Sequence, residues 1–341
     1  MLTSTFASLR EVTFDLNHDL NHDLISNSDL NSDNELESAV KKTLAFFDIF
    51  DYPLTDWEIY KYLWVKDTVQ KNFHYGEIKN ILNNAPVNIQ QSEGFYFLNE
   101  RSNLITIRKK RQIIARKKYK RALWVIKILS LLPFIKMIAV CNTLAYDNVR
   151  EDSDIDLFII TSKEKIWTAR LYSLVFLKLL RLRPTKDNKK DKICLNFFVT
   201  EENLNLQKMT IENDIYFAYW LKQILPVYND KIFKKFLQEN INISKNINNS
   251  SPSRFFNKRK IKHSIIEEGF KSFFEVINSW EWLEILLKWI QIKIMPQSLL
   301  DKDRQGNEVV ISDKILKFHV DDKRKEIRDE WKDKIIKLLN C

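Results

Sequence analysis

Cysteine is nearly absent from this chain of 341 residues: Cys141, Cys194 and Cys341 are the only three. They show no metal-ligand spacing. Cys141 and Cys194 fall in apolar, strand-like runs, so they are expected to be buried thiols of a reducing compartment. Long hydrophobic runs are missing as well. Leu171 to Leu180 is too short to span a membrane, and Ala122 to Val140 is broken by Lys127, Pro133 and Lys136. The first residues lack a charged start followed by an apolar core, so no signal peptide is expected and a cytoplasmic protein is the default. Glycine is scarce too, at four residues.

Aromatic residues are plentiful, with 22 Phe, 11 Tyr and 9 Trp, and hydrophobic residues make up 45% of the chain. That is ample for real cores, and at about 150 residues per domain the length suggests two or three units. The net charge of +10 favours a partner that carries phosphate.

The chain divides by composition. Residues 1–37 are rich in Asn, Asp and Ser, with the short repeat Leu16-Asn17-His18-Asp19 and Leu20-Asn21-His22-Asp23. Low-complexity polarity of this kind predicts a disordered tail rather than a histidine metal site. Residues 38–99 read as a small unit of three helices and a hairpin. Val40, Leu44, Phe47 and Phe50 make a helical stripe that Asp51-Tyr52-Pro53 ends. Thr55-Asp56-Trp57-Glu58 is a capping box for the second helix. Ile78, Ile81 and Leu82 mark the third, and Ser92-Glu93-Gly94 is the hairpin turn. That order resembles a winged helix, although the third helix offers only Lys79 against Glu77 and the hairpin tip carries Glu93. DNA contact wants cations there, so packing or protein contact is the expected use.

Residues 100–130 predict a long linker helix whose first half is intensely basic. Arg108, Lys109, Lys110, Arg111, Arg116, Lys117, Lys118, Lys120 and Arg121 follow one another without an acid. Such density of one sign repels itself, so RNA or another phosphate-rich acceptor is the partner expected along Arg108 to Arg121. A solvated face is the plainer alternative.

Residues 131–239 hold the most informative stretch, Met137 to Thr161. It reads as strand, turn, acidic loop, strand. Residues two apart on a strand share a face, so Asp154 and Asp156 should stand side by side while Ile155 points the other way. Paired carboxylates raise one another's pKa unless a cation lies between them. Hard Mg²⁺ takes oxygen ligands and typically arrives with phosphates. Lys192 to Thr200 is the next strand, with Asn196 as its central polar residue. Lys165 to Leu182 is a helix apolar almost all round, and its Arg170 suits either a phosphate or a structural ion pair. Ile215 to Leu225 is a helix that Pro226 ends.

Residues 240–341 are expected to be a linker and a helical C-terminal region. Phe270 to Met295 reads as one helix, Val309 to Ile311 as a short extended piece and Lys323 to Leu339 as a last helix. Trp282 and Trp289 are expected in the core, and the lone His319 is expected to be structural.

Asn142-Thr143, ten residues, and then Ser153-Asp154-Ile155-Asp156-Leu157 resemble the signature of the DNA polymerase β-type nucleotidyltransferase superfamily. The signature is a Gly-Ser turn followed by a strand carrying Asp-x-Asp. Ile166 to Arg170, Ile193 to Asn196 and the upstream Phe47 to Thr55 are further similar to uncharacterised bacterial nucleotidyltransferase-domain proteins with a winged-helix-like segment in front. The resemblance implies an α+β fold: a nucleotidyltransferase-type mixed sheet with helices, a winged-helix-like domain before it and a helical region after it. It implies transfer of a nucleoside monophosphate from an NTP to a hydroxyl or phosphate acceptor, dependent on Mg²⁺ at a two-metal site. Asp154 and Asp156 would be the catalytic metal ligands, with Asn142, Thr143, Ser153 and Asn196 on the nucleotide. Asn142 replaces the family's glycine, and asparagine is the non-glycine residue that best tolerates a left-handed turn. Asn196 stands where a third carboxylate is expected, and an amide is a poor general base. An inactive nucleotide- or nucleic-acid-binding module of the same fold is therefore the alternative.

Overall fold

A computed structural model describes residues 34–339 apart from 66–72, 85, 186, 248, 250–259, 306–308 and 320. The two His-Asp repeats lie outside the described residues. Helix α1 covers residues 34–48. The expected tail boundary at residue 37 therefore falls inside a helix, because Leu36 is buried and extends the stripe of Val40, Leu44 and Phe47. Asp51, at φ 53°, turns the chain. Helix α2 (Asp56–Lys61) opens on the expected capping box: Thr55 Oγ1 accepts from Glu58 N at 3.2 Å, and Glu58 accepts from Thr55 N at 2.9 Å. Helix α3 (Tyr75–Asn83) buries Ile78, Ile81 and Leu82. Strands β1 (Ile89–Ser92) and β2 (Phe95–Leu98) form an antiparallel hairpin. Its tip holds Glu93 and Gly94 at positive φ, as a two-residue turn requires.

Helix α4 (Leu104–Leu129) leads into a six-stranded mixed sheet ordered β6-β3-β4-β5-β8-β7. Its strands are β3 (Ile135–Val140), β4 (Ile155–Thr161), β5 (Ile193–Thr200), β6 (Leu225–Tyr228), β7 (Val309–Ile311) and β8 (Ile315–Phe318). Only β4 and β5 run parallel; the other neighbours are antiparallel. The molecule is thus of α+β class.

Alternation along β4 builds two cores. Ile155, Leu157 and Ile159 join the cluster under α4 and α6 (Ile166–Leu179), while Phe158 and Ile160 join the cluster under α7 (Ile215–Gln223) and α8 (Asp230–Glu239). The first unit is welded to this frame. Tyr219 of α7 stacks on Phe46 with ring centroids 4.0 Å apart and donates its hydroxyl to Tyr62 O at 3.0 Å.

Three differences from the sequence reading have physical causes. Pro226 reads as a helix stop, yet it lies in β6, an edge strand where a missing N–H does no harm. In residues 240–341 the expected extended piece Val309–Ile311 is β7, but an unexpected strand, β8, joins it, and together they extend the sheet beyond β5. Phe270 to Met295 is two helices, α9 (Ile265–Ile277) and α10 (Glu281–Lys293), with Trp282 and Trp289 exposed rather than in the core. Helices α11 (Gln297–Gln305) and α12 (Arg324–Leu339) complete the chain, and Trp331 of α12 packs into the core of the first unit.

Candidate functional site

The turn between β3 and β4 is where local sequence sets the geometry. Asn142 takes φ 54°, the left-handed conformation that its side chain tolerates best after glycine. It opens the one-turn helix α5 (Asn142–Ala145), and its Oδ1 accepts from Trp220 Nε1 at 3.0 Å. The chain then returns along the acidic loop into β4. Lys118 of α4 holds that loop from behind. Its buried ammonium donates to Glu151 O at 3.0 Å and Ser153 O at 2.7 Å, and pairs with Asp191 at 2.7 Å.

Asp156 lies on the β4 face turned toward α7, opposite Ile155. In the parallel register its neighbour on β5 is Cys194. Ligand atoms of Asp154, Asp156 and Cys194 all fall within 4.8 Å of one another, a group that could hold a metal ion. Burial and the charge of Asp154 push the Asp156 carboxyl up to about 7, against hydrogen bonds from Asn142 and Cys194 that favour its charged form. Burial and the two carboxylates raise the Cys194 thiol far above its ordinary range. Without an ion, Cys194 is thus held as a neutral thiol beside the two oxygen-donor carboxylates. The two carboxylates offer the oxygen donors that a hard divalent cation takes.

A cavity of about 250 Å³ opens beside the pair. Asp156, Asn142 and Asn196 line it on the sheet side, and Phe197, Phe217 and Trp220 give it an aromatic flank. Besides Phe50 and Tyr216, much of the remaining wall comes from the far end of the chain: Lys317 in β8, His319 just after it, and Asp321 to Arg324 leading into α12. His319 Nδ1 is buried without a hydrogen-bond partner, and burial, then Lys317, lower its pKa.

Of the residues singled out in sequence, the fold brings together Asp154, Asp156, Asn142 and Asn196. Thr143 and Ser153 stand outside the cavity wall. Thr143 O accepts from Asn148 N at 2.8 Å, and Ser153 Oγ donates to Arg150 O at 2.8 Å, so both serve the turn and loop. Arg170 is structural: it donates to Gln291 at 2.6 Å and lies 4.5 Å over the Phe318 ring. The basic helix is divided. Arg108 is buried against Glu58 at 2.8 Å, Arg111 reaches Asp51 at 3.2 Å, and Lys118 holds the loop, whereas Lys110, Arg116, Lys117, Lys120 and Arg121 are exposed.

Sequence reasoning missed Cys194 and His319. The first faces the site only through the β4–β5 register, and the second only because β8 joins the sheet beside β5. No helix among the described residues is long and apolar enough to cross a membrane. Compared with known proteins, the chain matches no family model, no curated protein and no solved structure.

Proposed function

We propose that this chain is a nucleotidyltransferase of the DNA polymerase β type, which moves a nucleoside monophosphate from an NTP to a hydroxyl or phosphate acceptor. The observation that carries the reading is the carboxylate pair Asp154 and Asp156, side by side at the start of β4 against a cavity with an aromatic flank. Asp154 and Asp156 would hold Mg²⁺, which would supply charge neutralisation at the attacked phosphate. In the transfer the acceptor oxygen bonds to the α-phosphorus, a hydroxyl acceptor giving its proton to solvent, while the bond from the α-phosphorus to the bridging oxygen breaks and pyrophosphate leaves with that electron pair. Trp220 fixes Asn142, which keeps the left-handed turn in place beside the phosphates. Lys118 positions the loop that carries Asp154. The exposed cations of α4 attract a phosphate-rich acceptor such as RNA. The unit over residues 38–99 is winged-helix-like and packs against α7 and α12 as a protein-contact module.

One observation favours a second reading. Asn196 occupies the cavity wall where the family places a third carboxylate, and an amide cannot take up the acceptor's proton at neutral pH. A binder that holds NTP and Mg²⁺ without turnover has the same architecture. Titration calorimetry with each NTP and Mg²⁺, run beside transfer assays with α-labelled NTPs and RNA acceptors, separates the two. Labelled product that disappears in Asp154→Ala and Asp156→Ala is the expected result. Tight binding with no product from any acceptor selects the second reading. Transfer that survives both substitutions overturns the first.

A further inference from the structure

Helices α9 and α10 turn their polar sides to the protein and their apolar sides to solvent. On α9 the inward residues are Lys271 and Glu275. Lys271 is buried and its ammonium donates to Ser130 O at 2.9 Å and to Ile135 O, while Glu275 accepts from Phe134 N at 2.9 Å. On α10 they are Glu284, Lys288 and Gln291, beside the buried Leu287. Glu284 accepts from Trp167 N and Thr168 N at 2.7 and 2.9 Å, capping the start of α6, and Gln291 donates to Trp167 O at 2.8 Å. Lys288 pairs with Asp313 at 2.7 Å. The opposite stripes carry Phe270, Phe273, Trp280, Trp282, Ile285 and Trp289, each between 58% and 68% exposed. Residues at i, i+3 and i+4 spacing on one helix face form a ridge that another helix can receive.

We infer that a second copy of this chain covers the α9–α10 face and that the protein is a homodimer. Area supports that occupant. At about 150–250 Å² for each large side chain when fully buried, these six leave on the order of 800 Å² open. That matches the ~800 Å² that each partner gives to a standard interface, and it exceeds the largest patch of a typical monomer, about 300–600 Å². Charge points the same way. A helix that lies on an anionic bilayer carries Lys and Arg on its polar face. Here the polar faces carry Glu267, Glu268, Glu275, Glu281 and Glu284 against Lys271, Lys288 and Lys293, and Lys271 is buried. A face low in charge and edged by acid suits its own copy better than an acidic lipid surface. In a two-fold dimer each stripe meets its equivalent, so one patch supplies both sides.

Light scattering coupled to size exclusion tests this on the full chain. The expected mass is twice 40.9 kDa, falling to the single-chain mass in the triple variant Phe270→Glu, Trp282→Glu, Trp289→Glu with an unchanged circular dichroism spectrum. A second measurement needs no variant. Hydrogen exchange at micromolar and nanomolar concentration should show protection of α9 and α10 lost on dilution, with the sheet unchanged. A wild-type chain that stays monomeric at micromolar concentration overturns the inference. Sedimentation of that monomer with phosphatidylcholine–phosphatidylserine vesicles, lost in the triple variant, would assign the face to lipid instead. A dimer whose mass and exchange pattern ignore α9 and α10 also overturns it.

Discussion

Two walls of the cavity carry buried charge in opposite ways. On the C-terminal wall Arg324 bonds Asp322 at 2.7 Å and Asp214 at 2.8 Å, and Lys317 pairs with Asp322 at 3.0 Å. Two cations meet two anions, and Asp214 is also tied down as the N-cap of α7. On the sheet wall two carboxylates stand side by side at the start of β4, with the Cys194 thiol beside them on β5. Burial opposes ionisation of Asp322, yet Arg324 and Lys317 hold its carboxyl well below the ordinary range. Burial and Asp154 push Asp156 the other way. The same residue type, lining one cavity, is thus stabilised as an anion on one side and destabilised on the other. A charge cluster that closes on itself organises the fold, and one left open is where a ligand must supply the missing charge.

Breaking the closed wall should have the largest effect. Arg324→Met leaves Asp214 and the pair Asp322–Lys317 without their shared cation in a buried place. Removing one partner of a buried pair costs about 3–5 kcal/mol, and urea unfolding should show a loss of that size. A loss under about 1 kcal/mol, the range of exposed pairs, would mean that this wall is not structural.

The open wall should respond with the opposite sign. Between pH 3.8 and about 7 the native Asp156 keeps a proton that the unfolded chain has released. Stability therefore falls as pH rises through that window, and above it the buried charge weighs on the fold in full. Asp156→Asn removes the titration. Without divalent ions it should stabilise the protein at pH 8 by up to about 4 kcal/mol, at about 1.36 kcal/mol for each pH unit of that window, and the gain should shrink toward pH 4. If the pair takes a divalent ion as proposed, Mn²⁺ should raise the melting temperature of the wild type and leave that of Asp156→Asn unchanged. Destabilisation at pH 8 comparable to that of Arg324→Met would show that the two walls do not differ.

Much of the open wall was legible because its causes are local. Asp-x-Asp on a strand and an asparagine fit for a left-handed turn act within a few residues, as does the Thr55–Glu58 capping box of the first unit. What was not legible depends on register and on which side of a helix meets the body. Cys194 reaches the carboxylates through the parallel pairing of β4 with β5, which no short stretch encodes. His319 reaches the cavity through β8, a strand of four residues at the far end of the chain. Strand β6 was hidden by its proline, which is harmless only at an edge. Trp282 and Trp289 have core spacing, and spacing cannot say whose core. Along α4 the run of one sign conceals that Arg108 and Lys118 are buried while Lys117 is not.

That division of α4 gives the smallest effect and the finest test. Lys118 anchors the loop that leads to Asp154, so Lys118→Gln should destabilise the protein and weaken any metal response with it. Lys110, Lys117, Lys120 and Arg121 are exposed. Lys110 and Lys117 lie near enough to Glu151 to help Lys190 depress its carboxyl, so a polyanion bound along them would lie beside the loop that feeds the carboxylate pair. Changing these four to Gln keeps helix propensity, and stability should move by no more than about 0.5 kcal/mol. RNA affinity should fall at low salt. Each lost phosphate contact should flatten the slope of log affinity against log salt by roughly 0.7 to 0.9. Fluorescence anisotropy across a salt series reads both quantities. An unchanged slope in the quadruple variant would leave α4 with one function, the inward one that Lys118 serves.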